Sequence, residues 1–91
     1  MSTPYVRGRV FEYRVRDYLD RKGFFVVRQA RSAFPDIVAL KKGRILLVEC
    51  NVKGNLSPRE RQEPLLLTQR LGGQAYVALR KGRQLRFRLI G

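Results

Sequence analysis

The sequence predicts an α/β domain with the element order αβββαββ, in which helices flank one central mixed β-sheet. Three observations predict this class. Apolar residues recur at helical spacing between residues 9 and 22, and a helix-capping pattern stands at residues 57–60. The other apolar segments are short, rich in β-branched and aromatic residues, and separated by glycine-containing turns, which is typical of strands.

The first helix is predicted over residues 9–22, because its apolar side chains return to one face and Gly23 then ends the pattern. The stripe consists of Phe11, Val15, Tyr18 and Leu19. Residues 1–8 contain a proline and a glycine and are predicted to form a basic N-terminal arm. The remaining residues, 9–91, are predicted to form a single domain.

Five strands are predicted from the apolar runs. They are residues 24–27, 36–41, 44–53, 75–79 and 85–89. The run at residues 24–27 is apolar throughout and predicts a strand buried on both faces. Lys42-Gly43 joins the next two strands, and such a pair favours a two-residue hairpin turn because glycine accepts a positive φ. Lys81-Gly82 plays the same part between the last two strands.

The second helix is predicted to begin at Ser57-Pro58-Arg59-Glu60, a capping box with proline at the first helical position. It continues to Gly72-Gly73, and Pro64 inside it removes one backbone hydrogen bond. Leu65, Leu66 and Leu67 make the helix apolar around more of its surface than one sheet contact requires. Both core packing and burial against a second subunit explain this run.

The charge of the chain indicates a polyanionic partner. The 91 residues include 20 Lys and Arg against 7 Asp and Glu, for a formal net charge of +13. Each neutralised phosphate releases counterions, and arginine, the commoner of the two basic residues here, binds phosphate with two hydrogen bonds. Nucleic acid is therefore the favoured partner. An anionic membrane surface or a solvated basic face without a specific partner are the alternatives.

Several classes of protein are excluded by composition. The chain has one cysteine and no histidine, which excludes zinc sites of the Cys/His type and Ser-His-Asp triads. No apolar stretch approaches the roughly 18 residues of a membrane span, and the first residues lack the apolar segment of a secretory signal. These features favour a cytoplasmic protein without membrane contact.

The predicted hairpin places two carboxylates opposite each other. With a two-residue turn, Val38 faces Leu47 and Asp36 faces Glu49, and the two acids lie on one face with Cβ atoms about 5 Å apart. Like charges in this arrangement destabilise a sheet unless a cation lies between them. The cation is either a bridging arginine or a divalent metal, and Mg²⁺ suits few carboxylates beside a phosphate. Glu12 is either a third oxygen ligand or the partner of Arg16 on the first helix.

These residues resemble the archaeal-type Holliday junction resolvases of the PD-(D/E)xK nuclease superfamily. The resemblance rests on the Gly-x-x-x-Glu start, on Pro-Asp, on a later Glu-Cys-Asn, and on a Gly-Gly followed by a strand. The residues that carry it are Gly8, Glu12, Gly23, Phe24, Val26, Val27, Arg28, Pro35, Asp36, Val48 to Lys53, Gly72 and Gly73. The resemblance implies the restriction-endonuclease-like fold and Mg-dependent cutting of opposed strands at four-way DNA junctions. The chain is shorter than cellular members, which suits a virus-encoded protein in a host cytoplasm.

The resemblance also implies residue roles. Asp36 and Glu49 would bind Mg²⁺, or Mn²⁺ in its place, with the help of Glu12 and the backbone carbonyl of Cys50. Other residues would contact DNA, those of the arm along the junction arms and those of the polar loop beside the scissile phosphate. The DNA-contacting set is Arg7, Arg9, Arg28, Arg31, Ser32, Lys53 and Gln62.

One position departs from the family pattern. The lysine of Glu-x-Lys is replaced by Asn51, which can hydrogen-bond the attacking water but cannot offset charge on the phosphate. Lys53 shares its face but lies about 13 Å from Glu49 along an extended strand, which makes it a poor substitute. The chain is therefore predicted to be impaired in cleavage. It is either a deliberately disabled variant, which the intact acids favour, or a natural member that cuts slowly or not at all.

Two other functions stay open at this point. A non-catalytic DNA-binding or architectural protein on a decayed nuclease fold shares the charge and the missing lysine. A nuclease of the same superfamily that acts on other DNA structures shares all the motifs. If the chain is a resolvase, two opposed cuts by one site per chain imply a twofold homodimer.

Overall fold

The computed structural model describes residues 4–29 and 34–90 of the chain. Within these ranges the predicted element order αβββαββ is confirmed. The elements are α1 (Pro4–Arg21), β1 (Phe25–Arg28), β2 (Ile37–Lys41), β3 (Arg44–Cys50), α2 (Pro58–Leu71), β4 (Gln74–Lys81) and β5 (Gln84–Leu89). The five strands form one sheet in the order β1-β2-β3-β4-β5. Only β3 and β4 pair in parallel, so the sheet is mixed, as predicted.

Helix α1 begins earlier than the sequence suggested. It starts at Pro4, so the prediction of a basic arm is wrong for residues 4–8, which are helical. Proline is well placed in the first turn of a helix, and a glycine inside a helix costs only about 1 kcal/mol relative to alanine. Gly8 therefore does not end the helix. Neither helix is long and apolar enough to cross a membrane, as judged over the described ranges.

The core between α1 and the sheet contains the apolar stripe that the sequence predicted. Phe11, Val15 and Leu19 are buried on α1. They pack in one cluster with side chains on one face of the sheet. Those side chains are Ile37, Ala39, Leu46, Val48 and Ala78, with Phe24 at its edge. Because strand side chains alternate, the neighbours Val38, Leu47 and Glu49 belong to the opposite face, on which α2 packs against β4.

Strand β1 is an edge strand, and the prediction that it is buried on both faces is wrong. Phe25 is 68% exposed and Val27 is 44% exposed. Phe25 stands opposite Leu40, which is also exposed, and Val27 stands opposite Val38. An apolar run does not distinguish a central strand from an edge strand with one uncovered face. The β1–β2 apolar face, defined as Phe25, Val27 and Leu40, is therefore open to solvent.

Helix α2 begins with the predicted capping box. The Ser57 Oγ accepts a hydrogen bond from the Glu60 backbone at 3.2 Å, and the Glu60 Oε1 accepts one from the Ser57 backbone at 3.0 Å. The helix runs through Pro64, which is buried. Leu65 and Leu66 are exposed, so core packing does not account for them.

A close backbone approach joins α2 to β4. Gly73 has a φ of +83°, and a Cβ at this residue would lie 2.4 Å from the carbonyl oxygen of Ile45 on β3. The parallel ladder starts at the next residue, where Gln74 pairs with Leu46. Only glycine fits between α2 and β3 at this point.

Candidate active site

The β2–β3 hairpin brings Asp36 and Glu49 together in the predicted register. Val38 pairs with Leu47 and Lys41 with Arg44, and the ladder ends at Ile37 and Val48. Asp36 therefore stands one residue before β2, beside Glu49 near the end of β3. The Cys50 backbone N–H donates to the Asp36 Oδ2 at 2.8 Å, which holds the aspartate against β3. The side chain of Asp36 lies close enough to Glu49 to act directly on its titration.

The proximity of the two carboxyl groups changes the titration of Glu49. Burial raises the pKa of Glu49 to about 9, and the hydrogen bond and negative charge of Asp36 add to the effect. Glu60 at the start of α2 contributes further negative charge. The protonated form of Glu49 is therefore favoured over a wider pH range than in a free glutamate. Two acids held this close, with a raised pKa, are typical of a functional site that binds a ligand.

Glu12 on α1 lies next to this pair. Burial raises the pKa of Glu12, and so does the charge of Asp36, while Arg28 and Arg9 lower it. The Glu12 Oε2 lies 3.5 Å from the Arg28 Nη1, and the guanidinium of Arg28 lies 5.0 Å from the centre of the Tyr13 ring. The structure thus shows an ion pair between Glu12 and Arg28, which the sequence analysis had treated separately.

The alternative prediction for Glu12, an ion pair with Arg16, is wrong. Arg16 instead pairs with its neighbour Asp17, with the Arg16 Nη2 3.0 Å from the Asp17 Oδ1. A helical residue at i+4 was a reasonable partner for Glu12, but Arg28 approaches from β1. Tyr13, which stacks with both arginines, was missed, because no local pattern signals a contact between α1 and β1.

The acid pair fits a divalent cation. Neither Asp36 nor Glu49 forms an ion pair with an arginine or lysine in the described ranges, so the bridging guanidinium considered above is not observed there. Two carboxylates and a nearby backbone carbonyl are hard oxygen donors of the kind that Mg²⁺ and Mn²⁺ prefer. Residues 4–29 and 34–90 contain no group of three or more acidic or cysteine residues that could hold a metal. Glu12 pairs with Arg28 instead, and its role as a third metal ligand stays a prediction.

The Asn51 side chain is hydrogen-bonded to the backbone of the loop that follows β3. Its Nδ2 donates to the Asn55 carbonyl at 3.0 Å, and its Oδ1 accepts from the backbone N–H groups of Lys53 at 3.1 Å and Gly54 at 3.0 Å. The side chain closes a turn in which the Gly54 N–H also donates to the Asn51 carbonyl. Asparagine is well suited to such turns because it bonds the backbone two residues ahead. The structure thus gives the Asn51 amide backbone partners in this turn, and its role towards an attacking water stays a prediction.

The position of Lys53 also differs from expectation. Strand β3 ends at Cys50, and residues 51–54 form the turn just described. The distance of 13 Å assumed a strand that continues to Lys53, so that argument against Lys53 does not hold. The loop that follows is held to β5, because the Arg88 guanidinium donates to the Gly54 carbonyl.

A comparison with known families decides the affiliation of the chain. A sequence model of the family described as "Archaeal holliday junction resolvase (hjc)" matches residues 3–90. The chain belongs to this family.

Relatives agree with this assignment. The "Crossover junction endodeoxyribonuclease Hjc" of Methanocaldococcus jannaschii is 27% identical over 84 residues, which are 88% of this chain and 63% of that protein. The chain thus spans less than two thirds of the relative's length. The structure of Archaeoglobus fulgidus Hjc, a Holliday junction resolvase from an archaeal hyperthermophile, matches with a TM-score of 0.81 and 30% identity. That match covers 92% of this chain and 73% of the other, and it confirms the restriction-endonuclease-like fold.

The residues predicted to contact DNA are distributed unevenly around the acid pair. Arg28 pairs with Glu12, which lies beside the acid pair. Arg9 is exposed on the same helix as Glu12. Lys53 and Gln62 are exposed, on the loop after β3 and on α2. The remaining predicted contacts, the Arg7 side chain, Arg31 and Ser32, lie outside the described part of the chain. Their roles stay predictions.

Proposed function

We propose that this chain is a metal-dependent endonuclease by descent and that it binds four-way DNA junctions. Asp36 and Glu49 are its proposed metal ligands. One observation carries the proposal: two carboxyl groups are held in contact, and no described basic side chain is paired with either. Membership of the resolvase family and the net charge of +13 support the choice of DNA as substrate. Family membership also implies dependence on a divalent metal, which we propose is Mg²⁺, with Mn²⁺ as a substitute.

The residues around the pair have complementary parts. Asp36 and Glu49 would hold the metal, with the Cys50 carbonyl beside them, and the metal would polarise the scissile phosphate and lower the pKa of a bound water. Arg28 offsets the charge of Glu12, so that the site does not present three uncompensated acids to a phosphate. Its guanidinium is half-buried and stacked on Tyr13, which fixes its orientation.

Asn51 supports impaired cleavage. The family lysine would supply a cation at this position, whereas the Asn51 amide is engaged by the backbone of Lys53, Gly54 and Asn55. No positive charge replaces the lysine at position 51. This observation also favours a second candidate, a protein that binds junctions and holds them uncut.

We further propose that the functional unit is a homodimer. The β1–β2 apolar face is contiguous across the ladder and exposed, with Phe25 directly opposite Leu40. Contiguous apolar surface rimmed by charge is the usual mark of an interface. Two copies joined through this face would bring two acid pairs to one junction, as paired cuts in opposed strands require.

The test compares Asn51→Lys with Asn51→Ala. Both variants lose the loop hydrogen bonds of the Asn51 amide, but only the lysine adds an ammonium group. With Mg²⁺ and a labelled four-way junction, we expect Asn51→Lys to cleave about 100-fold faster than the parent or more. Asn51→Ala should stay at or below the parent's rate.

A linear duplex of the same arm sequence serves as the substrate control. Faster cutting of the junction than of the duplex by Asn51→Lys supports a resolvase, and equal cutting supports a nuclease of other specificity. If Asn51→Lys remains folded by circular dichroism, binds the junction and cuts no faster than Asn51→Ala, position 51 does not have the assigned role. The non-cleaving binder is then the better description.

A further inference from the structure

We propose that the β4–β5 hairpin is a second DNA-backbone surface, which binds the phosphates of a duplex arm next to the acid pair. We define the basic hairpin as Arg80, Lys81 and Arg83, which are exposed at the end of β4 and in the turn. The inference rests on the proposed function, because it assumes that DNA lies across the acid pair.

The distribution of charge along the chain is the first observation. After Glu63 the chain has no aspartate or glutamate, although this segment contains several arginines and a lysine. They are Arg70, Arg80, Lys81, Arg83, Arg86 and Arg88. Clustered like charges destabilise a fold unless an oppositely charged partner compensates them. If these basic side chains only faced solvent, the absence of acidic residues from this segment would bring no stability or function.

The sheet topology places the basic hairpin beside the acid pair. Strands β3 and β4 are parallel, with Cys50 level with Ala78. Strand β4 then continues for three more residues to Lys81, which at 3.3 Å per residue is about 10 Å beyond the end of β3. The β4–β5 turn therefore projects from the end of the sheet at which the strands bring Asp36 and Glu49 together.

The lateral offset also suits DNA. Neighbouring strands lie about 4.8 Å apart, so β5 is roughly 10 Å from β3. That distance corresponds to the rise of about three base pairs along the axis of a duplex. A strand whose scissile phosphate lies at the acid pair would therefore pass the basic hairpin within its next few phosphates.

The basic hairpin is fixed in place by contacts that leave its own side chains available. The Arg14 Nη2 donates to the Arg83 carbonyl at 2.6 Å, which joins the turn to α1. The rings of Tyr18 and Phe87 pack with their centres 5.4 Å apart. Arg80, Lys81 and Arg83 form no ion pair with any residue of the described ranges. Exposed cations without acidic partners are suited to phosphate, and a turn whose backbone is already fixed loses less order on binding.

The test compares two double variants of the parent chain that remove equal charge. Lys81→Gln/Arg83→Gln alters the basic hairpin and keeps the Arg83 carbonyl that Arg14 binds. Lys42→Gln/Arg70→Gln removes two charges at the other end of the strands, away from the acid pair. Lys42 lies in the β2–β3 turn and Arg70 at the end of α2. Both are assayed by fluorescence anisotropy with a labelled four-way junction between about 50 and 200 mM salt, without metal.

We expect the hairpin variant to bind more weakly, with a slope of log affinity against log salt that is smaller by about 2. The factor by which its affinity decreases between these two salt concentrations should therefore be about ten times smaller than the parent's factor. The control variant should keep the parent's slope. A parental slope in the hairpin variant, or an equal loss in both variants, would overturn the inference while the proposed function stands. A parent that binds no junction would overturn both.

Discussion

The two halves of the sheet differ in what they expose. The half made of β1, β2 and β3 carries the acid pair and an uncovered apolar face, with Phe25 68% exposed. The half made of β4 and β5 carries no acid, and its exposed turn is basic. The first half holds two acids where burial raises the pKa of Glu49, and the second carries only basic charged residues, which lie in solvent. Under the two proposals, the first half supplies the chemistry and the second contributes DNA affinity.

The largest effect expected from this separation is that of Asp36→Asn in the Asn51→Lys background. Removing one metal ligand should lower Mg²⁺-dependent junction cleavage by about 100-fold or more. Binding of the uncut junction, measured by anisotropy, should stay the same or become tighter, because one negative charge near the phosphate is lost. Cleavage that survives this change would contradict the role of the acid pair. Weakened binding would show that the two halves are not independent.

A second prediction concerns the apolar face of the first half. Phe25→Glu places a charge at the proposed dimer interface and should raise the dissociation constant of the dimer by about 30-fold or more. Sedimentation velocity measures the change. Leu66→Glu is the matched control, since Leu66 is 53% exposed on α2. Dissociation by Leu66→Glu alone would move the interface from β1 and β2 to α2.

The smallest predicted effect is a pH dependence of stability. The pKa of Glu49 is raised from 4.5 to about 9 in the folded chain, so the folded state holds a proton that the unfolded state releases earlier. In EDTA, the melting temperature should therefore fall as the pH rises between these values. Glu49→Gln should flatten this slope. Mn²⁺ should also reduce it, because metal binding releases the proton.

A melting temperature that rises over the same pH range in EDTA would contradict the protonated state of Glu49. The comparison of EDTA with Mn²⁺ also reports metal binding without any cleavage. It therefore applies to the parent chain, in which Asn51 is predicted to limit the rate.

The hairpin that forms the acid pair was predictable because its determinants are local. Lys42-Gly43 sets a two-residue turn, and the alternation of side chains then fixes the position of every residue opposite. Gly43 indeed has a positive φ of 73°. The capping box at Ser57 was predictable for the same reason, since both of its hydrogen bonds lie within four residues.

Features that depend on distant segments or on competing local preferences were not predictable. The ion pair of Glu12 with Arg28 joins a helix to a strand, and a sequence offers fifteen arginines as partners. Asn51 was assigned to a strand because the pattern of alternation continues past it, whereas its turn-forming preference ends β3 at Cys50. The start of α1 at Pro4 is not evident from the sequence, because a proline and a glycine within residues 4–8 are also typical of an irregular arm.

The missing side chain of Gly73 has a consequence for the alignment of β3 and β4. Because any larger residue would collide with the Ile45 carbonyl, replacing Gly73 would push β4 away from β3 and shift the alignment of Gln74 with Leu46. A shift at this end of a rigid strand is carried along its full length. Gly73 lies at the far end of β4 and contacts neither group, yet it helps to set the spacing between the acid pair and the basic hairpin.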